Sequence, residues 1–261
     1  MFAKDVFLSL LLQIVFTVGI IVIFGLLISL CNRAFYSNFK RHGITVCYIT
    51  GFIGTPVHEL SHALFCLIFG HRIVEMKLFQ VSSSDGTLGY VTHTYNKRNI
   101  YQNIGNFFIG IAPILVIAAI MFVIAYFLLP SFTDTLHTLP ATIEEVQFVP
   151  LVKNIWEIIK SFFSLIGTWQ WWVFLIIGLF LCLHMTLSTE DIKGAWSGFI
   201  TLVILLLVVD LILEAIGAAV LTSFTSAFMS IGGYLLAIML ISLIISLLYL
   251  LISVPFRFIL K

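Results

Sequence analysis

Val46-Cys-Tyr-Ile-Thr-Gly-Phe-Ile-Gly-Thr-Pro-Val-His-Glu-Leu-Ser-His-Ala-Leu-Phe-Cys-Leu-Ile-Phe-Gly70 is an apolar run that carries two histidines and a glutamate near its middle. A bilayer-crossing helix needs about 20 such residues, so the run is long enough to span. Five more apolar stretches occupy 6–31, 104–129, 170–187, 195–221 and 229–256. Hydrophobic residues make up 61% of the 261 and charged residues 10%, with a mean hydropathy of +1.15. So little charge cannot clothe a water-soluble domain. The expected fold class is an all-α polytopic membrane protein with about six transmembrane helices. It forms a single membrane-embedded domain over 1–261, with a core at 46–200 and additional helices at 201–261. A net charge of +1 excludes the strongly basic face that a nucleic-acid partner requires. The lipid bilayer is the expected surrounding.

The first run is too long for a signal-peptide core and lacks a small-residue cleavage site, which makes it a span. Residues 71–100 form a polar insertion. Within it Ile73–Phe79 and Thr87–Tyr95 partly alternate and are rich in β-branched and aromatic residues, with the turn sequence Ser-Ser-Ser-Asp-Gly between them at 82–86. That pattern predicts a small β-hairpin after the second helix. Residues 130–169 read as a second long loop whose part from Asn154 to Gly167 is an amphipathic interfacial helix. With the N-terminus inside, Lys4, Arg72, Lys77, Lys97, Arg98, Lys193, Arg257 and Lys261 face the cytoplasm. Arg33, Lys40, Arg41, Lys153 and Lys160 face out. Eight against five places both termini in the cytoplasm of a multi-pass protein, expected in a bacterial cell membrane.

The chemistry sits in His58-Glu59-Leu60-Ser61-His62. Two histidines four residues apart on a helix project from one face and can grip one Zn²⁺. Glu59 stands beside them, where it can take a proton from an attacking water and return it to a leaving amine. Ionisable groups in hydrocarbon cost on the order of a few kcal/mol, so they mark function or a packed polar network.

A catalytic zinc takes three protein ligands and keeps one position open. The third ligand is sought in Leu181–Gly194, at the end of the fourth span. Asp191, a hard carboxylate with Gly194 nearby to break a helix, is the first choice. His184 is the alternative. An intact helix would hold the two about 10 Å apart along its axis, so both can ligate only if 188–190 unwinds. One of them could instead orient a ligand from behind. Glu190 reads as a solvated charge.

An HExxH in an early membrane helix, a hairpin after it, a Gly/Pro-containing third span and an Asp near the end of a later span together resemble the site-2 protease family of intramembrane zinc metalloproteases. The resemblance covers about residues 46–200. It implies that His58 and His62 bind Zn²⁺, that Glu59 is the general base, and that Asp191 matches the family's Asp ligand. It implies as substrate a membrane-spanning protein segment or peptide, cut within or near the bilayer. The family's Asp-Gly pair is spaced out here to Asp191 and Gly194. Its Gly-Pro-x-x-Asn signature is echoed by Gly110-Ile-Ala-Pro113, with Asn103 and Asn106 upstream as candidate amides near the substrate.

Asp210 and Glu214 fall four residues apart in the fifth span, as a proton path, a gate or a hydrogen-bonded clamp between helices. His93 reads as an ordinary loop histidine of the hairpin, with a place near the active-site mouth as the alternative, and His42, His71 and His137 read as surface loop residues. Cys31, Cys47, Cys66 and Cys182 lie in apolar segments with no CxxC pair and read as packing residues. Two other functions fit parts of the pattern: a catalytically silent scaffold, and a metal or proton transporter using His58, His62, Asp210 and Glu214.

Overall fold

In the computed structural model, residues 2–81, 87–144 and 148–260 are described. The expected turn at 82–86 lies outside them. The first apolar run is helical over Phe2–Asn38, as α1 (Phe2–Ile14), a π turn (Val15–Gly19) and α2 (Ile20–Asn38). A 3₁₀ turn (Lys40–His42) leads into α3 (Gly43–Ile68), which carries the motif. The hairpin follows as β1 (Arg72–Lys77) and β2 (Tyr90–Thr94), antiparallel as expected. Then come α4 (Ile100–Leu128), α5 (Pro130–Leu136), α6 (Leu139–Glu144), α7 (Phe148–Ser164) and α8 (Trp169–Cys182). The chain ends with α9 (Thr189–Ile216), α10 (Ala218–Ser253) and α11 (Phe256–Ile259).

The mostly helical architecture with one small hairpin is the expected class, with differences in detail. Among the described residues, four helical stretches are long and apolar enough to cross a membrane: Phe2–Asn38, Ile100–Leu128, Thr189–Ile216 and Ala218–Ile259. A fifth appears if α7 and α8, bent by 109° at their junction, count as one. The helix α3 is outside this set although its 26 residues reach roughly 39 Å at 1.5 Å per residue. Thr50, Thr55, His58, Glu59, Ser61 and His62 dilute its apolar run. Residues 130–144, expected as loop, form α5 and α6, with Pro130 at the first turn of α5, where its fixed φ suits a helix start. The fourth stretch stops being helical at Cys182, and 185–188 have no regular structure.

The chain packs as two compact units. One comprises Met1–Ile23, Phe122–Phe174 and Ile200–Leu240. Its aromatic core centres on Phe162, with ring centroids 5.2 Å from Phe132, 5.5 Å from Trp171 and 6.2 Å from Phe174. Here Gln13 Nε2 donates to Asp210 Oδ1 at 2.9 Å, both side chains fully buried. Asp210 is thus half of an α1–α9 clamp, one of the arrangements its sequence position allowed.

The other unit comprises Phe24–Met121, Leu175–Phe199 and Ile241–Lys261. Ile28, Ile114, Ile117, Met121, Leu183 and Met185 fill its core. Asn32 Nδ2 donates to the Cys182 carbonyl at 2.7 Å and Asn38 Nδ2 to Ser253 Oγ at 2.8 Å. Between helices in lipid, close packing and hydrogen bonds do most of the holding, and small residues permit the approach. A Cβ on Gly54 of α3 would fall 2.1 Å from the Phe180 carbonyl. One on Gly110 of α4 would fall 2.7 Å from the Asp191 carbonyl. The four cysteines are free thiols, three of them buried.

Candidate metal centre

The 3.6-residue repeat of α3 puts His58 and His62 on one face, ring centroids 5.0 Å apart. Each ring is tied from behind by a backbone carbonyl. His58 Nδ1 donates to the His184 carbonyl at 2.8 Å, and His62 Nδ1 to the Ile109 carbonyl at 2.7 Å. A carbonyl can only accept, so the proton of each neutral ring is on Nδ1 and the lone pair is on Nε2. The two Nε2 atoms lie 3.3 Å apart. Asp191 Oδ1 lies 3.3 Å from His62 Nε2.

Three acceptors therefore converge with no donor among them, all within 4.8 Å of one another. A cation reconciles them. Tetrahedral zinc with bonds of about 2.0–2.1 Å sets its ligand atoms roughly 3.3 Å apart, the spacing of His62 Nε2 from each of the other two atoms. The set of two imidazoles and one carboxylate, with carbonyls orienting the imidazoles, has the composition of a catalytic zinc site with an open position.

Asp191 is delivered by the break between α8 and α9. Ser188 caps α9: its backbone N–H donates to Asp191 Oδ2 at 2.9 Å, and the Asp191 N–H donates to Ser188 Oγ at 3.0 Å. This reciprocal capping box satisfies two orphan donors of the helix start. It also occupies one carboxylate oxygen and turns the other toward His62. The Ser-x-x-Asp spacing of Ser188 and Asp191 was present in the sequence as a helix-start signal.

His184, the alternative third ligand, is placed differently. Its ring Nε2 lies 2.9 Å from Thr50 Oγ1 and 3.2 Å from the Tyr36 hydroxyl, and its Nδ1 lies 3.4 Å from Thr55 Oγ1. The ring belongs to that polar set, and it is the backbone carbonyl that reaches His58. No sequence signal marks Tyr36 and Thr50 as partners of His184, or a carbonyl such as that of Ile109 as a partner of His62.

The three converging residues open onto a cavity of about 780 Å³ that Glu59, Asn106, His93 and Glu190 also line. Glu59 is 6% exposed. The approach to β2 passes close over it, since a Cβ on Gly89 would fall 2.7 Å from Glu59 Cγ. Asn106 is buried and donates to Ser197 Oγ at 3.3 Å. Asn103 meets Asn106 Nδ2 at 3.4 Å. His93 is no ordinary loop residue. It stands on β2 facing the cavity, and burial first, then His71 and His62, hold it below the usual histidine range. His71, expected at the surface, is 4% exposed, because the turn after α3 tucks it under Tyr95 and Gln102. His42 and His137 are exposed as expected.

Residues 51–143 match the sequence model of a family described as "Putative zincin peptidase". The match supports a metallopeptidase. It takes in His58, Glu59 and His62, the HExxH that defines zincins, together with the hairpin and α4, and it stops before Asp191. The zinc expected from the motif accords with it. No curated protein matches this chain, and no solved structure does.

Proposed function

We propose that this chain is an intramembrane zinc metalloprotease of the site-2 protease type, hydrolysing peptide bonds in or near transmembrane segments of membrane proteins. The observation that carries the reading is the convergence of His58 Nε2, His62 Nε2 and Asp191 Oδ1 in a cavity shared with Glu59. The long apolar helices of the same chain support a substrate met in the bilayer.

In this reading His58, His62 and Asp191 hold the zinc, with the His184 and Ile109 carbonyls and Ser188 fixing their orientation. Bound zinc supplies an activated water and a polarised scissile carbonyl. The carboxylate of Glu59 accepts the proton of the attacking water and delivers it to the nitrogen of the leaving amine. The hairpin covers Glu59 and limits bulk water there, which strengthens each electrostatic contact in the cavity. β2 is one of two strands in its sheet among the described residues, and its outer edge is where an extended substrate, as an unwound membrane segment must become, would add. A multi-pass position in a bacterial cell membrane with both termini inside completes the reading.

The test combines metal analysis with cleavage. Purified protein in liposomes is mixed with a panel of single-span peptides, and products are identified by mass spectrometry. Wild type is expected to hold one zinc per chain and to cut within or beside a span. His58→Ala and Asp191→Ala are expected to lose the metal, and Glu59→Gln to keep it while losing cleavage. A wild-type protein without zinc would overturn the reading.

A further inference from the structure

The hairpin brings a histidine pair to the same cavity. His71 follows Gly70, whose φ of +68° only a glycine adopts cheaply. The Gly70 N–H donates to the Leu67 carbonyl at 3.2 Å and the His71 N–H to the Cys66 carbonyl at 2.8 Å, the two bonds of a Schellman ending of α3. This turn buries His71 against Tyr95, the rings stacked with centroids 5.0 Å apart and 11° between planes. His71 Nε2 donates to the Gln102 carbonyl at 2.7 Å.

The proton positions follow from that bond. The carbonyl of Gln102 only accepts, so the neutral His71 carries its proton on Nε2 and presents a bare Nδ1. His93 Nδ1 lies 3.0 Å from it. His93 must therefore bring the proton to this contact, which leaves its own lone pair on Nε2, at the far side of the ring. The β1–β2 register shifts between Ile73 and Glu75, opposite His93 and Thr92, and such bulges re-aim side chains beside active sites. His93 lines the cavity with His58, Glu59, His62 and Asp191, yet it stands outside the three-residue cluster that could hold a metal.

We propose that His93 is a substrate-binding residue: its Nε2 accepts a hydrogen bond from a backbone N–H of the peptide being cut, and His71 is the positioning residue that fixes its tautomer. The proposal rests on the protease reading above. A membrane segment unwound for cleavage exposes N–H groups that lipid cannot satisfy. His58 and His62 turn their lone pairs on the metal cluster, Glu59 handles the water's proton, and Asp191 is held by Ser188. His93 supplies a neutral acceptor on the strand that the substrate would lie beside.

The first test needs no metal. Nitrogen-15 NMR of histidine-labelled, metal-free protein is expected to show His71 protonated at Nε2 and His93 at Nδ1. A His93 protonated at Nε2 would overturn the proposal. His71→Phe is expected to release the His93 tautomer, and His71→Gln to restore it, because an amide can donate to Gln102 and accept from His93.

The second test uses two zinc-directed probes on zinc-loaded protein: acetohydroxamic acid, and a leucine tripeptide hydroxamate that adds backbone N–H groups. His93→Phe is expected to weaken the tripeptide probe up to about tenfold, the range of one hydrogen bond, and to leave acetohydroxamic acid and zinc content unchanged. Equal losses for both probes, or none for either, would overturn it. Failure of the protease reading is read separately, as a wild type that takes up no zinc, while the tautomer result stands on metal-free protein.

Discussion

Ser188 and Asp191 hold each other across the first turn of α9, each backbone N–H bonded to the other's side chain at 2.9 and 3.0 Å. One carboxylate oxygen is spent on the cap, and the other lies 3.3 Å from His62 Nε2. The helix start and the candidate metal centre thus share one residue. Ser188→Ala removes the hydroxyl that accepts the Asp191 backbone N–H and keeps the backbone N–H of residue 188, which holds Oδ2. It should cost about 1 kcal/mol in the α9 cap and weaken zinc affinity by no more than about tenfold, read by competition with a zinc chelator. Complete loss of zinc would mean that the hydroxyl, and not the backbone N–H, sets the orientation of Asp191.

The third ligand can be decided by a pair of variants. The His184 ring is occupied by Thr50 and Tyr36, while its carbonyl orients His58. His184→Ala keeps that carbonyl, so zinc should remain at one per chain with modestly lower affinity. Asp191→Ala removes a converging oxygen, and zinc should be lost. The wild type should also melt at lower temperature after chelation, because a ligand bound only to the folded state stabilises it by mass action. The opposite order in metal analysis would return His184 to the first place.

Gly89 tests the fit of the hairpin over Glu59, the general base of the proposed reaction. A Cβ there would meet Glu59 Cγ at 2.7 Å and both the Lys77 carbonyl and Thr55 Cγ2 at 2.9 Å. Gly89→Ala should displace either the strand or the Glu59 side chain and lower kcat at least tenfold, since small misplacements of catalytic groups are costly. Zinc content should not change, because no converging ligand atom is touched. Cleavage at the wild-type rate would show that the hairpin yields freely.

What the sequence made legible follows from which signals are local. The HExxH spacing reports a helix face directly, and the apolar runs report helices, so His58, Glu59, His62 and most helix positions could be read. The alternating flanks at 73–79 and 87–95 announced the two strands of the hairpin. The orienting carbonyls of Ile109 and His184 could not be read, because any residue type provides one. Burial of His71 depends on a turn at Gly70 and on Tyr95 and Gln102 arriving from elsewhere. Asp191 lay between these cases: it was a candidate ligand by type and place, but its approach to His62 needs α8 to end at Cys182 and Gly110 to admit α9.

The buried pair Gln13–Asp210 offers a test that leaves the metal centre alone. Both side chains are fully buried, Gln13 Nε2 also lies 3.4 Å from Thr225 Oγ1, and Asp210 Oδ2 has no hydrogen-bond partner among the described residues. Replacing one member strands the other in an apolar setting, at a cost of about 1–3 kcal/mol for an unsatisfied buried group. Replacing both by apolar residues of similar size removes the polar groups together, which can be nearly neutral. Asp210→Leu and Gln13→Leu should therefore each lower thermal stability, and the double variant should recover most of the loss. Zinc content and peptide cleavage should follow wild type throughout if the pair is a structural clamp. If cleavage falls in the stable double variant while zinc is retained, the pair has a role in the reaction that a clamp does not explain.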